Sequence, residues 1–372
     1  MAATANEIYF CKRSGSNFSI VVVNGATGEV SRTVSVPSEP FQSGVDGDGN
    51  PTYLLALNDI QIDADGNVLV SNLCTDITGA GFRVDKINME TGAVTNVLNE
   101  KFEKVEGVPT LRIDAFNVYG SVDGDGYLMA PIAGTEVGQG EIVLKWPISG
   151  GVVGEVEYIF LQEFVPSTAT GAGAAPRVRP VSEELFYHDG FNTFASLYDM
   201  DGNLVDGFTD SATAEAMGTM NTGHNGVTEF SMNGDNFMVF AATNTALAPF
   251  SSFQIARLGE GMAMTGMDPI YRLPAEGFGG TSNPVRTAIP QVFVNGEKAM
   301  IYLYVTNNGI ASYEFSTVST SIGGVDSENS PIVSSRYYDI TGREVAKPAK
   351  GVFIVKHTHE NGATSIEKTF VD

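Results

Sequence analysis

The stretch that decides the fold runs from Leu57 to Leu98. It reads LNDIQIDADGNVLVSNLCTDITGAGFRVDKINMETGAVTNVL. Four runs in it alternate apolar and polar residues, which is the period of a half-buried β-strand. The connections contain Asp-Gly and Thr-Gly, and glycine supplies the positive φ that tight hairpins require. The stretch therefore predicts four short antiparallel strands.

The same unit recurs along the chain. Its third run, followed by a turn, reappears roughly every 50–65 residues, beginning at Phe18, Phe82, Ile142, Phe194, Phe253 and Ile310. Four-stranded units at this period predict an all-β fold, a β-propeller over residues 1–317. Six blades are counted, and five or seven remain open. We expect the first unit to lack its first strand, because the chain opens in a second-strand pattern at Glu7–Arg13, and the last unit to lack a fourth.

The composition limits the classes of partner. The chain has 372 residues, a formal net charge of −23 and 42% hydrophobic residues. A domain this acidic repels phosphate backbones, which argues against nucleic-acid binding. No apolar run reaches the roughly 18 residues of a membrane helix. The two cysteines, Cys11 and Cys74, cannot make a disulfide framework, and we expect both to be small buried hydrophobes.

The two ends of the chain bear on localisation. Met1–Asn6 has neither the basic nor the apolar region of a signal peptide. We therefore expect a cytoplasmic protein or a secreted one whose leader has been trimmed. Residues 318–331 are small and polar and predict a linker, and residues 332–372 predict a small β module.

This C-terminal module resembles the sorting domain of the type IX secretion system of Bacteroidetes. Asp339–Val345 matches its turn motif, Gly351–Lys356 its central strand, and Lys368–Val371 its basic-aliphatic end. The resemblance implies export from a Bacteroidetes-type bacterium. It also implies a secreted or outer-membrane-surface location, with attachment through the module.

A second resemblance lies in the blades. Asn58–Val70 is similar to the blade phrase of NHL and SMP-30/gluconolactonase propellers. In the lactonases, Asn and Asp residues at first-strand starts ring the central channel and hold calcium, an ion that prefers oxygen ligands. The matching positions here are Asn58, Asp114 and Asn225. The N-terminal Glu ligand of that family has no visible counterpart.

Other polar residues are predicted on the face that carries the long connections 99–112, 163–176 and 208–224. Histidine serves as a general base, and Asn as a hydrogen-bonding or metal-binding group. The strand ends on this face predict His188, His224, Asn72, Asn244 and Asn307 as ligand-binding residues. Turn and capping hydrogen bonds are the alternative for each.

Arg177 and Arg179 fall two residues apart on one predicted strand face. If that strand lines the channel, the pair would grip a carboxylate or a sugar acid. Ion pairs with blade carboxylates are the alternative.

These observations favour a secreted or surface-attached binding protein that recognises a glycan or peptide on the loop-rich face without a cofactor. The Asp-x-Asp-Gly turns lack the Glu of a calcium-binding EF-hand, and there is no Gly-x-Ser-x-Gly elbow. Two alternatives remain open. One is a calcium-dependent, lactonase-like hydrolase, and the other is a scaffold propeller that docks a partner protein.

Overall fold

The computed structural model describes residues 1–75, 77–101, 112–133, 142–162, 176–190, 193–207, 226–242, 252–259, 268–274, 277, 288–317, 331–339, 343–346, 350–360 and 364–371. The chain divides into two compact units, Met1–Thr317 and Val318–Asp372. Apart from Pro331, the predicted linker 318–331 lies outside the described residues.

The first unit contains six successive antiparallel sheets, in which strands adjacent in sequence pair with each other. Sheet 1 comprises β1 (Ala2–Ala3), β2 (Glu7–Ser14), β3 (Asn17–Asn24) and β4 (Val30–Val36). The hairpin β5 (Gln42–Val45) and β6 (Pro51–Tyr53) follows it, after a short 3₁₀ helix at Glu39–Phe41. Sheet 2 comprises β7 (Asp59–Ile62), β8 (Val68–Ser71), β9 (Phe82–Ile87) and β10 (Val94–Glu100).

In sheet 3 the fourth position is shared by two short strands that both pair with the third. The sheet comprises β11 (Asn117–Gly120), β12 (Gly126–Pro131), β13 (Ile142–Ser149), β14 (Val152–Val153) and β15 (Glu157–Phe160). Sheet 4 comprises β16 (Arg177–Pro180), β17 (Leu185–Gly190), β18 (Thr193–Asp199) and β19 (Leu204–Asp206).

Sheet 5 comprises β20 (Val227–Met232), β21 (Asp235–Ala242), β22 (Ser252–Arg257) and β23 (Asp268–Leu273). Sheet 6 comprises β24 (Gln291–Asn295), β25 (Lys298–Val305) and β26 (Gly309–Ser316). The first strands of neighbouring sheets contact each other, as in the pairs β1 with β7, β7 with β11, β11 with β16 and β20 with β24. First strands therefore form the inner ring around a channel, and the predicted propeller fold is confirmed.

Two expectations about the ends of the ring have different outcomes. The expectation that the first unit lacks a first strand is wrong, because β1 pairs Ala2 with Tyr9 and Ala3 with Ile8. A strand of two residues is too short to leave an alternating pattern. Within the described residues sheet 6 has three strands, in line with the expected missing fourth.

Three hairpin turns, which join β7 to β8, β5 to β6 and β18 to β19, are held by their own side chains. In Asp63–Asn67, one carboxylate oxygen of Asp63 accepts from the backbone N–H groups of Asp65 and Asn67, and the other accepts from the Asn67 amide. Asp46–Asn50 and Asp199–Asn203 repeat the Asp-x-Asp-Gly-Asn sequence and the same bonds. The carboxylates are thus used as turn caps, as the hairpin interpretation predicted.

Apolar cores fill the spaces between neighbouring sheets. Trp146 of sheet 3 is fully buried and stacks on Phe82 of sheet 2, with 5.7 Å between ring centroids. Sheet 6 closes on sheet 1, where Tyr302 packs with Ala3 and Ile8 and its hydroxyl donates to the Ala5 carbonyl at 2.8 Å. Cys11 and Cys74 are not paired with each other.

The second unit is a sheet of four strands in the order β28-β27-β29-β30. They are β27 (Ile332–Asp339), β28 (Glu344–Val345), β29 (Gly351–His359) and β30 (Thr364–Val371). Phe353 and Val355 of β29 are buried. The Ser335 hydroxyl hydrogen-bonds the His357 ring at 2.7 Å, and the Ser365 hydroxyl hydrogen-bonds the His359 ring at 2.8 Å.

Candidate functional site

The strongest candidate site is a cavity of about 360 Å³ at the end of the channel where the first strands begin. We call it the strand-start cavity. It collects polar and charged side chains from three sheets beside aromatic rings from two others. They are Asn58, Asp59, Arg112, Asp114 and Arg177, with Phe10 and Tyr304.

The second strand of sheet 1 also contributes to this cavity. β1 pairs with Ile8 and Tyr9 of β2, and the next residues of β2, Phe10 and Cys11, line the cavity. The Phe10 ring meets the Tyr304 ring of sheet 6 with centroids 5.1 Å apart and planes tilted by 53°. The cavity is therefore bordered by two contacting aromatic rings as well as by its charged residues.

Arg112 and Asp114 form a two-pronged ion pair. The guanidinium donates from Nε and Nη2 to the two carboxylate oxygens of Asp114, at 2.8 and 2.7 Å. This fork–fork arrangement fixes both side chains. Asn58 holds the same segment from sheet 2, because its amide donates to the Asp114 carbonyl at 2.6 Å. Leu57, just before it, has φ +55°, which is strained for a bulky residue.

A second ion pair crosses the channel. Arg177 at the start of sheet 4 donates from Nη1 to Asp59 at the start of sheet 2, at 3.1 Å, although the two are 118 residues apart in sequence. Sheets 2 and 4 are separated by sheet 3, so this bond passes in front of the first strand of sheet 3. We call this ion pair the Arg177–Asp59 chord. The same Asp59 oxygen accepts from the Phe116 backbone and the Gln61 amide, at 3.2 and 3.4 Å.

Arg179 lies at the opposite end of the channel. It lines a separate cavity of about 420 Å³ where the first strands end, which we call the strand-end cavity. Its Nη1 donates to Glu229 of sheet 5 at 2.5 Å. The two arginines expected to act together are thus in different cavities, and each is paired with a blade carboxylate.

His188 and its neighbour Asp189 lie inside the packing of sheet 4 and are not among the described residues that line either cavity. Burial lowers the pKa of His188 to about 3, so the ring stays neutral. Burial raises the pKa of Asp189 to about 7, against the opposing effects of the Gly226 N–H at 2.6 Å and of Arg177. Asp189 pairs in register with Arg177.

Two more of the predicted ligand-binding residues, Asn72 and Asn307, do not line the cavity. Asn72 is buried and bridges its own loop, accepting from the Arg83 backbone at 2.8 Å and donating to the Gly81 carbonyl at 3.0 Å. Asn307 is an exposed turn residue with φ +59°. His224, Asn225 and Asn244 lie outside the described residues.

The predicted calcium ligands Asn58 and Asp114 do meet in the strand-start cavity. Both oxygens of Asp114 accept from Arg112, however, and a guanidinium in that position competes with a cation. Among the residues that the structure describes, no group of three or more His, Cys, Asp or Glu side chains is placed to hold a metal ion. Calcium binding stays a prediction.

Two of the four charged residues of the cavity, Asp59 and Arg112, are not among the residues predicted from the sequence, although signals were present. Asp59 directly follows Asn58, and Arg112 precedes Asp114 by two residues, the spacing at which side chains share a strand face. For Arg177 the structure shows the ion-pair alternative, with Asp59 as its partner.

No helix in the described part of the chain is long and apolar enough to cross a membrane.

Comparisons with known proteins extend to the fold only. No family model and no curated protein matches the sequence. A DUF4623 family protein from Bacteroides eggerthii superposes with a TM-score of 0.58, at 14% identity over 84% of this chain and 71% of its own. The β-propeller domain of the Trilobed protease from Pyrococcus furiosus matches at 0.37, with 10% identity over 100% of this chain and 96% of its own. An α-L-arabinofuranosidase from Lactobacillus brevis matches at 0.39, with 11% identity over 80% of this chain and 95% of its own. The first similarity shows a shared fold, and the other two superpose too loosely to carry an argument.

Proposed function

We propose that the first unit is a carbohydrate-binding propeller whose ligand occupies the strand-start cavity. The observation that carries this proposal is that two ion pairs and the rings of Phe10 and Tyr304 line the same cavity. A sugar presents hydroxyl groups that both donate and accept, together with an apolar ring face that packs on aromatic side chains. The cavity offers a partner for each of these features.

Hydrogen-bond donors remain available in the cavity after the ion pairs are formed. Arg112 uses Nε and Nη2 for Asp114, and no described residue accepts from its Nη1. Arg177 uses Nη1 for Asp59, and its Nε is buried without a partner among the described residues. A guanidinium has five N–H donors, so Arg112 can serve a ligand while it stays paired with Asp114.

The charge balance favours a neutral sugar over an acidic one. The four charged side chains of the cavity form two neutral pairs, and the chain carries a net charge of −23. An anionic ligand would enter against this overall field, and no described side chain of the lining is an unpaired cation that could receive it. The sugar acid considered from the sequence is therefore less suited to this site.

The same pairing favours binding over hydrolysis. A glycosidase needs one carboxyl group that gives a proton and a second that acts as base or nucleophile. Here Asp114 is saturated by a bidentate guanidinium, and Asp59 accepts from three donors. Both are arranged as fixed anionic acceptors that orient arginines.

Localisation outside the cell is part of this proposal. Its support is the similarity of the C-terminal unit to sorting domains, and fractionation of the native host would test it.

The test of function is a glycan array screened with the full chain, followed by calorimetric titration of the hits. Arg112→Gln should weaken binding at least tenfold, because it removes a cavity donor and releases Asp114. Arg179→Gln, in the strand-end cavity, is the matched control and should bind like the wild type.

The array should be run with EDTA and with added Ca²⁺, and beside a peptide library. Equal glycan binding in both buffers agrees with the proposal. Hydrolysis that appears only with Ca²⁺ would instead support the lactonase alternative, and capture of peptides alone would reject the glycan. Equal losses in the two arginine variants would place the site elsewhere.

A further inference from the structure

We infer that the strand-start cavity is closed at its floor and receives the terminal unit of a glycan chain rather than an internal segment. This inference rests on the proposed function and names the part of the ligand that is recognised. Its basis is the Arg177–Asp59 chord, which crosses the channel between two sheets that are not neighbours.

The chord separates two cavities that share no described lining residue. On β16, Arg177 belongs to the strand-start cavity and Arg179, two residues later, to the strand-end cavity. On β7 the same division falls between Ile60 and Ile62. The boundary therefore lies at one level in both strands, just beyond the chord.

Buried polar groups of sheets 2 and 3 form a hydrogen-bonded layer at this level. The Gln61 amide donates to Asp59 and to the Phe116 carbonyl, at 3.4 and 3.0 Å, while the Phe116 N–H donates to Asp59 at 3.2 Å. Asp59 and Gln61 are both buried. Because these groups satisfy one another, the layer is stable without a ligand, and a chain cannot thread through it.

The size of the cavity agrees with a terminal unit. At about 360 Å³ it lies near the lower end of the roughly 300–1,000 Å³ found for small-molecule sites. A chain longer than one or two sugar units must therefore leave through the open mouth. Arg177 at the floor then faces the last unit, whose terminal hydroxyl group only a chain end presents.

The test is calorimetric titration of the wild-type chain with a series based on the best array hit. The probes are its mono-, di- and tetrasaccharide, the tetrasaccharide O-methylated on its non-reducing terminal unit, and the tetrasaccharide as its reducing-end methyl glycoside. We expect the dissociation constants of the di- and tetrasaccharide to agree within about threefold. One of the two terminal modifications should weaken binding at least tenfold. The polymer should titrate in proportion to its number of chain ends.

Affinity that rises with each added unit, or tolerance of both terminal modifications, would overturn the inference while leaving glycan binding intact. Absence of binding to every glycan would instead reject the proposed function, and the inference with it. Arg177→Lys keeps the charge but has a shorter side chain with fewer donors, and it should weaken binding of the disaccharide at least tenfold. Arg179→Lys is its control and should leave binding unchanged, with melting curves confirming that both variants fold.

Discussion

Arg177 and Arg179 are the same residue type on the same strand, yet they stand in different environments. Arg177 reaches across the channel to a carboxylate on a sheet that is not its neighbour, and both partners are largely buried, at 13% and 6% exposed. Arg179 pairs with Glu229 on the adjacent sheet, at 25% and 10% exposed. Across the β16–β17 pair, Arg177 faces Asp189 and Arg179 faces Tyr187.

The comparison teaches that position along a propeller strand decides the role of a channel residue. The start of the strand meets segments from several sheets, so its side chains join the ring and shape a ligand cavity. Two residues further on, Arg179 lines the strand-end cavity and pairs with a carboxylate of the adjacent sheet. The following predictions test this difference, from the largest expected effect to the smallest.

Arg177→Met should cost about 3–5 kcal/mol of unfolding free energy, because it leaves the buried Asp59 carboxylate without its cation. Arg179→Met should cost about half as much, since its pair is closer to solvent. Urea denaturation of both variants measures the difference. Adding Asp59→Asn to Arg177→Met should restore part of the loss, and equal losses in the two single variants would show that the chord has no special role.

A matched pair of glycines compares the two ends of the channel. Gly226, at the strand-start end, has φ +102°, and a Cβ there would lie 2.5 Å from Ile289 Cγ1. Gly66, at the strand-end cavity, has φ +83° with nothing within 4 Å of such a Cβ. Gly226→Ala should therefore cost about 3 kcal/mol through strain and overlap, and Gly66→Ala about 1 kcal/mol through strain alone. Similar values in thermal or urea unfolding would contradict the tighter packing at the strand-start end.

The pH dependence of stability should carry the signature of Asp189, which faces Arg177. Its folded pKa of about 7 lies above the unfolded value of about 3.9, so the folded chain binds more protons between these values and stability falls as pH rises. Asp189→Asn removes this fall. Between pH 5 and pH 7.5, the free energy of unfolding of the variant should therefore rise by about 2 kcal/mol relative to that of the wild type.

His188 changes stability with pH in the opposite direction, so its contribution can be distinguished from that of Asp189. Its folded pKa of about 3 lies below the unfolded value of about 6.5, so its contribution rises with pH across that window. Asp189→Asn should leave that rise in place. The exposed Asp201→Asn is the charge control, and a wild-type pH profile in Asp189→Asn would contradict the buried state of this carboxyl.

The smallest effect on stability is expected for a third arginine. The Arg112 side chain is 42% exposed beside Asp114 at 7%, and the amide of a Gln in its place can still donate to that carboxylate. Arg112→Gln should therefore unfold within about 1 kcal/mol of the wild type while losing ligand affinity. A loss as large as that of Arg177→Met would make Arg112 a structural residue and remove it from the proposed binding site.

Local patterns account for what the sequence by itself determined. The six third strands that were predicted from alternation are β3, β9, β13, β18, β22 and β26. The hairpin turns followed from glycines and from aspartates that cap the N–H groups two and four residues ahead. These features depend on neighbours within a few residues. The number of blades was then predicted from the period at which the pattern recurs.

The site was decided by the tertiary structure. The bonds from Arg177 to Asp59 and from Asn58 to Asp114 join residues 118 and 56 positions apart, and no local rule selects such partners. The division of Arg177 and Arg179 between two cavities depends on how the first strands stand around the channel. The burial of His188 depends on the packing of sheet 4 against its neighbours. Alternation determines which residues share a strand face, whereas closure of the ring determines what each face meets.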